Sequence, residues 1–421
     1  MRELFRRVKN SDFFKNVMVL LTGTLAGQMI ISLSNLLIPY IYNPEAVAVH
    51  QKFISIATVI VVIAAAKFDV AILLPKEDSN GKKLFRTSFY FIILTTILTT
   101  LALIFIPNST IEKFDFTQII EVKYLLPFWI FTYSVFYLLQ HWHTRKNQFK
   151  IQSRAKISQG LTNSFVKIPV GIINPNGNNL IFGDIISYAY SIKKLLKGET
   201  FGFRSSISLV KEDILYSFKN FSNFFKFSLP MGLLNVISLN LISYVLTIQY
   251  SDDILGNYSQ SWRVMNMPLN IVTIAFSSVF YKKIKDSSNR EKIYIYSFIF
   301  NFLASTIILS PLLFFGEEIF LFVFPEKWRI AGEMSSYLVP LSVGSFAMGS
   351  VSSVFSLTQK NEVSLVWQIF YLLISLGVIF LTSGLGYKIF IITFSITGLI
   401  LYLILFFYGI KVLGSYCEEG Y

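Results

Sequence analysis

Apolar segments about 20 residues long, separated by short charged breaks, recur along the whole of this 421-residue chain. A helix needs about 20 predominantly apolar residues to cross the hydrocarbon core of a bilayer. These segments are apolar all round, whereas a surface helix of a soluble domain is apolar on one face only. Charged residues make up 14% of the chain, compared with about 25% in soluble domains. The sequence therefore predicts an all-α integral membrane protein.

The predicted spans form two groups of six on either side of a basic segment. This segment, residues 193–226, mixes Lys and Arg with aromatic residues and is predicted to lie on the inner surface as an amphipathic connector. The predicted domains are a cytoplasmic N-terminal segment at 1–16, helical bundles at 17–192 and 227–410, this connector, and a cytoplasmic tail at 411–421. The twelve spans are predicted at 17–41, 46–74, 87–106, 124–142, 157–173, 178–192, 231–249, 255–280, 294–315, 335–357, 363–381 and 389–410.

Basic residues are distributed unequally between the two sides of these spans. With the N-terminus in the cytoplasm, 28 of the 37 Lys and Arg residues fall on the cytoplasmic side. Cytoplasmic loops retain Lys and Arg, so both termini are predicted to be cytoplasmic. The net charge of +13 then reflects basic loops lying against anionic lipid headgroups, and nucleic-acid binding is not predicted. The six basic residues on the outer side are Lys52, Lys113, Lys123, Lys327, Arg329 and Lys388.

Two segments with a similar pattern indicate an internal repeat. Tyr42–Ala48 closes the first span and Tyr250–Gly256 closes the seventh, and each joins a Tyr to an acidic turn. An acidic residue at a helix N-terminus is stabilised by the helix dipole, so these turns are predicted to cap the helices that follow. The alternative is that two outward turns are alike by chance. Two halves of six spans each would have the same orientation, related by an axis along the membrane normal.

Several short motifs resemble those of the Wzx-type O-antigen and polysaccharide flippases. The resemblance covers the whole chain in span count and layout, and its motifs are concentrated in the first 75 residues and around 220–270. Lys67 stands where Arg is common in the family, which keeps the charge but loses the bidentate fork of the guanidinium. The motifs are Leu21–Leu25, Tyr42–Glu45, Lys67–Lys76, Lys146–Lys150 and Phe227–Pro230.

This resemblance implies two six-helix bundles that face each other across a central cavity, as in multidrug and toxic compound extrusion (MATE) transporters. The implied substrate is an oligosaccharide on an undecaprenyl diphosphate carrier, moved from the inner to the outer leaflet of a bacterial cytoplasmic membrane. The implied partners are this lipid-linked substrate, membrane lipids and polysaccharide-assembly proteins. No cofactor is implied, and coupling to H⁺ or Na⁺ is expected.

Three basic residues, Lys67, Lys167 and Arg263, are predicted to lie inside spans. A charge at the bilayer centre costs about 2.5–3.5 kcal/mol on insertion scales, so each requires a partner or a wet cavity. Arg263 shares one predicted helix face with Asn266 and Asn270, flanked by Ser259 and Ser277. This stripe is typical of a substrate-binding cavity lining. The alternative interpretation of this stripe is that its polar side chains form hydrogen bonds between helices of one bundle.

The first span repeats this pattern without charge. Gln28 and Asn35 share a face with Thr24 and Ser32, and they are predicted either to bind sugar hydroxyls or to join helices. Lys167 shares a face with Gly160 and Asn163, which suits both substrate binding and close helix packing.

Asp69 and Asp184 are the predicted carriers of a coupling ion. Lys67 lies only two positions from Asp69, so on a continuous helix their side chains point apart and do not pair. His141 and His143 also diverge, which argues against a shared metal ion, and His50 is predicted to stand alone with a capping or interface role.

Two other functions compete with a flippase. A small-molecule exporter of the same fold is one, and a membrane polysaccharide polymerase or ligase is the other. An enzyme of that kind would present a large outer loop with convergent catalytic groups, whereas the longest outer loops here are about 107–123 and 316–334. ATP hydrolysis is not predicted, because Gly81-Lys82-Lys83 lacks the upstream glycine of a phosphate-binding loop. A transporter without catalytic residues is therefore expected.

Overall fold

The described part of the chain is built of helices. Ten of the twelve predicted spans fall on a single helix, whereas the spans predicted at 46–74 and 335–357 each cover two helices separated by a break. The computed structural model describes residues 12–113, 120–197, 211–285, 289–357 and 361–418, apart from the side chains of 12–21, 111, 270–271, 274–275, 278–279, 281–282, 285, 356–357, 361–362, 364 and 415–418. The predicted all-α membrane fold is confirmed.

The helices are α1 Asp12–Ile41, α2 Pro44–Ala64, α3 Phe68–Ala71, α4 Asp78–Phe105, α5 Asn108–Glu112, α6 Leu125–Arg145, α7 Phe149–Ile173, α8 Gly177–Lys197, α9 Lys211–Asn223, α10 Leu229–Gln249, α11 Asp252–Lys285, α12 Arg290–Val323, α13 Arg329–Gly349, α14 Ser353–Leu357, α15 Asn361–Thr382 and α16 Tyr387–Glu418.

Among the described residues, eight segments are long and apolar enough to cross a membrane by length and composition. The four predicted spans outside this set lie on α6, α7, α8 and α11. These four helices carry more polar groups, including Lys167, Asp184 and Arg263. A helix of this kind is stable at membrane depth when its polar face is covered by protein or lines a wet cavity. The candidate functional residues are therefore concentrated on the helices least suited to face lipid.

The helices group into two compact units. Unit 1 runs up to Tyr42 and from Val49 to Ile237, and unit 2 contains Asn43–Ala48 and the chain from Ser238 onward. The boundary falls within α10. The connector and the domain limits inferred from the sequence stay a prediction, and residues 198–210 lie outside the described part of the chain.

The second half of the predicted connector, α9, packs onto unit 1. Asp213 Oδ2 lies 3.1 Å from Arg86 Nε, and the Ser217 hydroxyl donates to Thr87 Oγ1 at 2.9 Å. Phe218 makes an edge contact with Phe68, with their ring centroids 5.1 Å apart. This segment therefore presents a polar and an aromatic face to the same bundle.

The sequence predicts one continuous helix over 46–74, and this prediction is wrong. Helix α2 ends at Ala64, Ala66 and Lys67 have positive φ values of 49° and 62°, and the short helix α3 follows. A left-handed conformation is unfavourable for these residues. The break buries the Phe68 ring completely, between Phe91 and Phe218. This packing offsets the backbone strain, and no Gly or Pro marks the break in the sequence.

The two turns predicted as a repeat have the same local structure. Each joins two helices through two residues, and the second residue caps the helix that follows. Asn43 Oδ1 accepts the Ala46 N–H at 3.1 Å, and Ser251 Oγ accepts the Ile254 N–H at 3.5 Å. The acidic residues lie in the first turn and do not form the cap. A short oxygen-bearing side chain at this position satisfies a backbone donor that has no partner within the helix.

Helices α1 and α7 approach until their backbones touch. A Cβ atom on Gly27 would lie 2.6 Å from the Lys156 carbonyl oxygen, and one on Gly160 would lie 2.6 Å from the Gly27 carbonyl oxygen. The Ser34 and Ser164 hydroxyls are hydrogen-bonded to each other at 2.6 Å further along the same interface. Small residues allow this approach, which supplies the van der Waals contact that holds helices together in lipid.

We expect Gly27→Leu to lower the melting temperature of the detergent-solubilised protein, because the new side chain overlaps the α7 backbone. Overpacking of this kind costs about 1–3 kcal/mol. Gly377→Leu is the matched control, since a Cβ atom there meets nothing within 4 Å. Fluorescence-detected size exclusion after heating measures both variants. An equal shift in the two would contradict the α1–α7 contact.

Candidate functional site

A buried cluster of polar side chains lies inside unit 1, centred on Asp184. Lys167 Nζ donates to Asp184 Oδ1 at 2.6 Å, and Asn163 Nδ2 donates to the same oxygen at 2.8 Å. His50 Nε2 lies 2.8 Å from the other oxygen, Oδ2. The side chains of Lys167 and Asp184 are only 10% and 13% exposed. Both oxygens of the carboxylate are therefore engaged by protein groups.

Three helices assemble this cluster. Asn163 and Lys167 are one turn apart on α7, Asp184 lies two turns into α8, and His50 is on α2. Gly183 makes room for the lysine, because a Cβ atom there would lie 2.4 Å from Lys167 Cγ. A missing side chain on α8 thus lets the Lys167 stem pass between the two helices and deliver its ammonium to the neighbouring carboxylate.

The cluster changes one prediction, because His50 is paired and not alone. A buried carboxylate is strongly destabilising unless it is paired and hydrogen-bonded, and here the Lys167 ammonium supplies the compensating charge. Lys167, predicted to bind substrate, is engaged by this ion pair. The role of Asp184 as an ion carrier stays a prediction.

Asp69, the second predicted ion carrier, lies beside His141. The Asp69 Oδ2 and His141 Nδ1 atoms are 3.3 Å apart, and the two side chains are 18% and 28% exposed. Asp69 is on α3, after the break at Lys67, and His141 is near the end of α6. As predicted, Asp69 does not pair with Lys67.

Helix α6 also has an aromatic face, which was not predicted from the sequence. Trp129 stacks on Tyr133 at 4.8 Å between ring centroids, and Tyr133 contacts Tyr137 at 4.6 Å. Tyr188 of α8 meets Tyr133 edge-on at 5.2 Å. Lys156 Nζ lies 5.0 Å from the centre of the Tyr137 ring. The positions 129, 133, 137 and 141 are four residues apart, and this spacing is the signal by which the face could have been found.

Lys67 lies at the break and not within a helix, which corrects the prediction that it lies inside a continuous span. Its side chain is half-buried and lies beside Gly232 of α10, where a Cβ atom would be 3.3 Å from Nζ. Within the described residues, no carboxylate forms an ion pair with Lys67. Lys52, predicted to lie on the outer side, is in α2 and only 2% exposed, so it is a further basic residue inside a helix.

In unit 2, helix α11 carries Arg263 and Asn266, both half-buried. Asn266 Nδ2 donates to the Trp262 carbonyl oxygen of the same helix at 2.9 Å. Ser259 does not share their environment, because it is 2% exposed and donates to its own helix. The Asn270 side chain lies outside the described residues.

The opposite side of α11 packs against α13. Asn257 Oδ1 accepts the Ala331 N–H at 3.0 Å, and the Ser261 hydroxyl donates to the Ala331 carbonyl oxygen. These two polar residues join α11 to α13. The lining of a substrate cavity by the face that carries Arg263 and Asn266 stays a prediction.

On α1 of unit 1, Gln28 and Asn35 are half-buried, together with Thr24, whereas Ser32 is 4% exposed. Groups of three or more His, Cys, Asp and Glu residues able to hold a metal ion are absent from the part of the chain that the structure describes.

The sequence profile of one protein family matches most of the chain. That family is described as polysaccharide biosynthesis protein, and the match covers residues 52–331. The chain belongs to this family. No curated individual protein matches the sequence.

Solved structures with the same fold are a flippase and several transporters. This polysaccharide biosynthesis protein aligns with the lipid II flippase MurJ in its inward closed conformation at a TM-score of 0.68 and 16% identity, covering 95% of this chain and 90% of that one. A MATE variant gives a TM-score of 0.61 at 14% identity, covering 98% of both chains. A MOP superfamily transporter from Pyrococcus furiosus gives 0.57 at 13% identity, covering 97% of this chain and 98% of that one. The family member thus has the multi-pass fold of MOP superfamily transporters.

We expect Lys167→Ala to lower the melting temperature strongly, because it leaves the Asp184 carboxylate buried without its ammonium partner. Removing one partner of a buried ion pair costs about 3–5 kcal/mol. The double variant Lys167→Met/Asp184→Asn should regain most of the loss, since it removes both charges together. Arg329→Ala, which breaks a pair with Glu317 at a 53% exposed arginine, is the control and should leave the melting temperature nearly unchanged. Equal melting temperatures for the single and double variants would contradict the pairing.

Proposed function

We propose that this chain is a flippase that moves an undecaprenyl-diphosphate-linked oligosaccharide, an O-antigen or polysaccharide repeat unit, from the inner to the outer leaflet by alternating access. The observation that carries the proposal is the family match over residues 52–331. A transporter fold in a polysaccharide biosynthesis family is consistent with a membrane-borne sugar intermediate as the cargo. The likeness to a lipid II flippase supports a lipid-linked form of that cargo.

The proposed setting follows from the same chemistry. Undecaprenyl carriers belong to bacterial cytoplasmic membranes, and the excess of Lys and Arg in the loops on one side supports a cytoplasmic position for both termini. Polysaccharide-assembly proteins would then supply and consume the lipid-linked substrate. Membrane lipids surround the chain and need no dedicated site for this role.

The proposed headgroup-binding residues are cationic. A diphosphate cannot enter hydrocarbon without partners, but Arg and Lys side chains in a wet cleft replace part of its hydration. Lys67 in unit 1 and Arg263 in unit 2 are both half-buried. Asn266, Asn270, Gln28 and Asn35 provide neutral donors and acceptors for sugar hydroxyls. Lys167 is a weaker candidate, because Asp184 already holds its ammonium at 2.6 Å.

Proton coupling at Asp69 and His141 is favoured over sodium coupling at Asp184. The Asp69 carboxylate and the His141 imidazole lie 3.3 Å apart and are both partly exposed, and within the described residues neither group is held by an ammonium ion. A sodium ion at Asp184 would first have to displace the Lys167 ammonium.

A cation-coupled exporter of small molecules is the second candidate function. The MATE likeness over 98% of both chains favours it. A membrane polymerase or ligase is the third and weakest candidate.

We expect the purified protein in liposomes to expose a fluorescent undecaprenyl-diphosphate oligosaccharide to a membrane-impermeant quencher, and Arg263→Ala to slow this exchange at least tenfold. A hydrogen bond to a charged group contributes about 1.5–3 kcal/mol, which corresponds to about tenfold or more. Arg263→Lys should recover part of the rate, because the charge returns without the bidentate fork. Arg329→Ala is the matched control, since its guanidinium is 53% exposed.

The outcomes separate the candidates. Exchange that persists in Arg263→Ala keeps the flippase and removes Arg263 from its site. Absence of exchange under every imposed ion gradient, together with export of an organic cation, would establish the exporter. Elongation of the sugar chain would establish the enzyme.

A further inference from the structure

Helices α7 and α8 form a groove of about 860 Å³ on the surface of unit 1. We call it the α7–α8 groove. Its lining combines cationic, apolar and small polar side chains and contains no acidic residue. The lining residues are Ile151, Arg154, Ile157, Ser158, Leu161, Thr162, Phe165, Tyr190, Lys194 and Lys197.

All three cationic side chains lie at one end of the groove. Helices α7 and α8 run in opposite directions and are joined by the short turn at 174–176, so the start of α7 lies beside the end of α8. This places Arg154, in the second turn of α7, near Lys194 and Lys197 in the last turn of α8. None of the three forms an ion pair with any described residue. Lys194 Nζ rests 5.2 Å from the centre of the Tyr190 ring, which holds it at the groove wall.

The rest of the groove is apolar and open. Leu161 and Phe165 are 42% and 73% exposed and lie further along α7, one and two turns beyond Ser158. From Arg154 to Phe165 the helix rises about 16 Å, at 1.5 Å per residue. One leaflet of a bilayer contributes about 15 Å of hydrocarbon, half of the 30 Å core. The length of the groove from its charged end to Phe165 thus matches the depth of one leaflet.

We propose that the α7–α8 groove binds an anionic phospholipid of the inner leaflet, with the phosphate at Arg154, Lys194 and Lys197 and an acyl chain along Leu161 and Phe165. The charge of the cationic end complements a phosphate group, and the apolar trough complements an acyl chain of the same lipid molecule. A soluble anion would use only the cationic end. The cationic end also lies on the predicted cytoplasmic side, where anionic lipids concentrate.

The site differs from the proposed substrate site in residues and in chemistry. It uses neither Lys67 nor Arg263, and it faces a lipid that remains in its leaflet. Binding is therefore measured without transport, and its outcome is independent of the proposed function.

Native mass spectrometry of the purified chain, titrated with phosphatidylglycerol, tests the proposal. We expect Arg154→Ala/Lys194→Ala/Lys197→Ala to weaken binding of the first phosphatidylglycerol at least tenfold. The triple variant Lys76→Ala/Lys150→Ala/Lys193→Ala is the matched control. It removes the same charge from exposed lysines on the same predicted side that do not line the groove, and its affinity should stay within about threefold of wild type. Phosphatidylcholine, which has no net charge, should bind all three proteins weakly and equally.

A second variant tests the apolar part separately. Ser158→Phe fills the trough and keeps every charge, and it should also weaken phosphatidylglycerol binding several-fold. Melting temperatures establish that each variant is folded before its affinity is compared.

Three outcomes would overturn the proposal. Equal losses in the two triple variants would mean that general electrostatics attract the lipid. Competition by inorganic phosphate at the same concentration as the lipid would identify a site for the anion alone. Undecaprenyl diphosphate that binds the groove while phosphatidylglycerol fails to displace it would assign the groove to the transport substrate.

Discussion

The hydrocarbon of a bilayer offers no partner to a backbone N–H or C=O group, and the rest of this structure depends on that constraint. Helices satisfy the backbone within one segment, which is why the described chain is helical. The same constraint reaches the hydroxyl side chains, which donate to carbonyl oxygens of the preceding turn. Examples are Ser88 to Leu84, Thr96 to Ile92, Thr247 to Ser243 and Thr382 to Val378. A hydroxyl group that is hydrogen-bonded in this way needs no partner on a neighbouring helix.

Groups that cannot be satisfied within one helix determine which helices of unit 1 pack together. Helix α7 is the common member. Gly160 admits the backbone of α1, while Asn163 and Lys167 reach Asp184 on α8, where His50 of α2 completes the cluster. The Tyr42 hydroxyl adds a bond to the Lys167 carbonyl oxygen at 2.8 Å. The other side of the same helix forms the cationic and apolar α7–α8 groove. One helix thus contributes both to the interior of unit 1 and to a groove on its surface.

The Lys167–Asp184 pair also divides the basic residues by role. Lys67, Lys167 and Arg263 were predicted to lie inside spans, and nothing in the sequence assigned them different roles. Lys167 is paired with an acid at 2.6 Å and holds unit 1 together, whereas Lys67 sits at a strained break and Arg263 lies on a half-buried helix face. The proposed binding of a diphosphate therefore depends on Lys67 and Arg263. In that proposal, these two side chains would supply the positive charge that a diphosphate headgroup requires.

The sequence by itself determined the helices, because spanning a bilayer requires a local property, namely about 20 apolar residues in a row. All twelve predicted spans fall on helices for this reason. It did not determine the break after Ala64, where burial of Phe68 overrides an apolar run without a breaking residue. Nor did it determine the contact between His50 and Asp184, which are 134 positions apart. Such contacts depend on which helices pack together, and that choice reflects glycine contacts, buried charges and aromatic faces acting at once. Only the tertiary structure decided them.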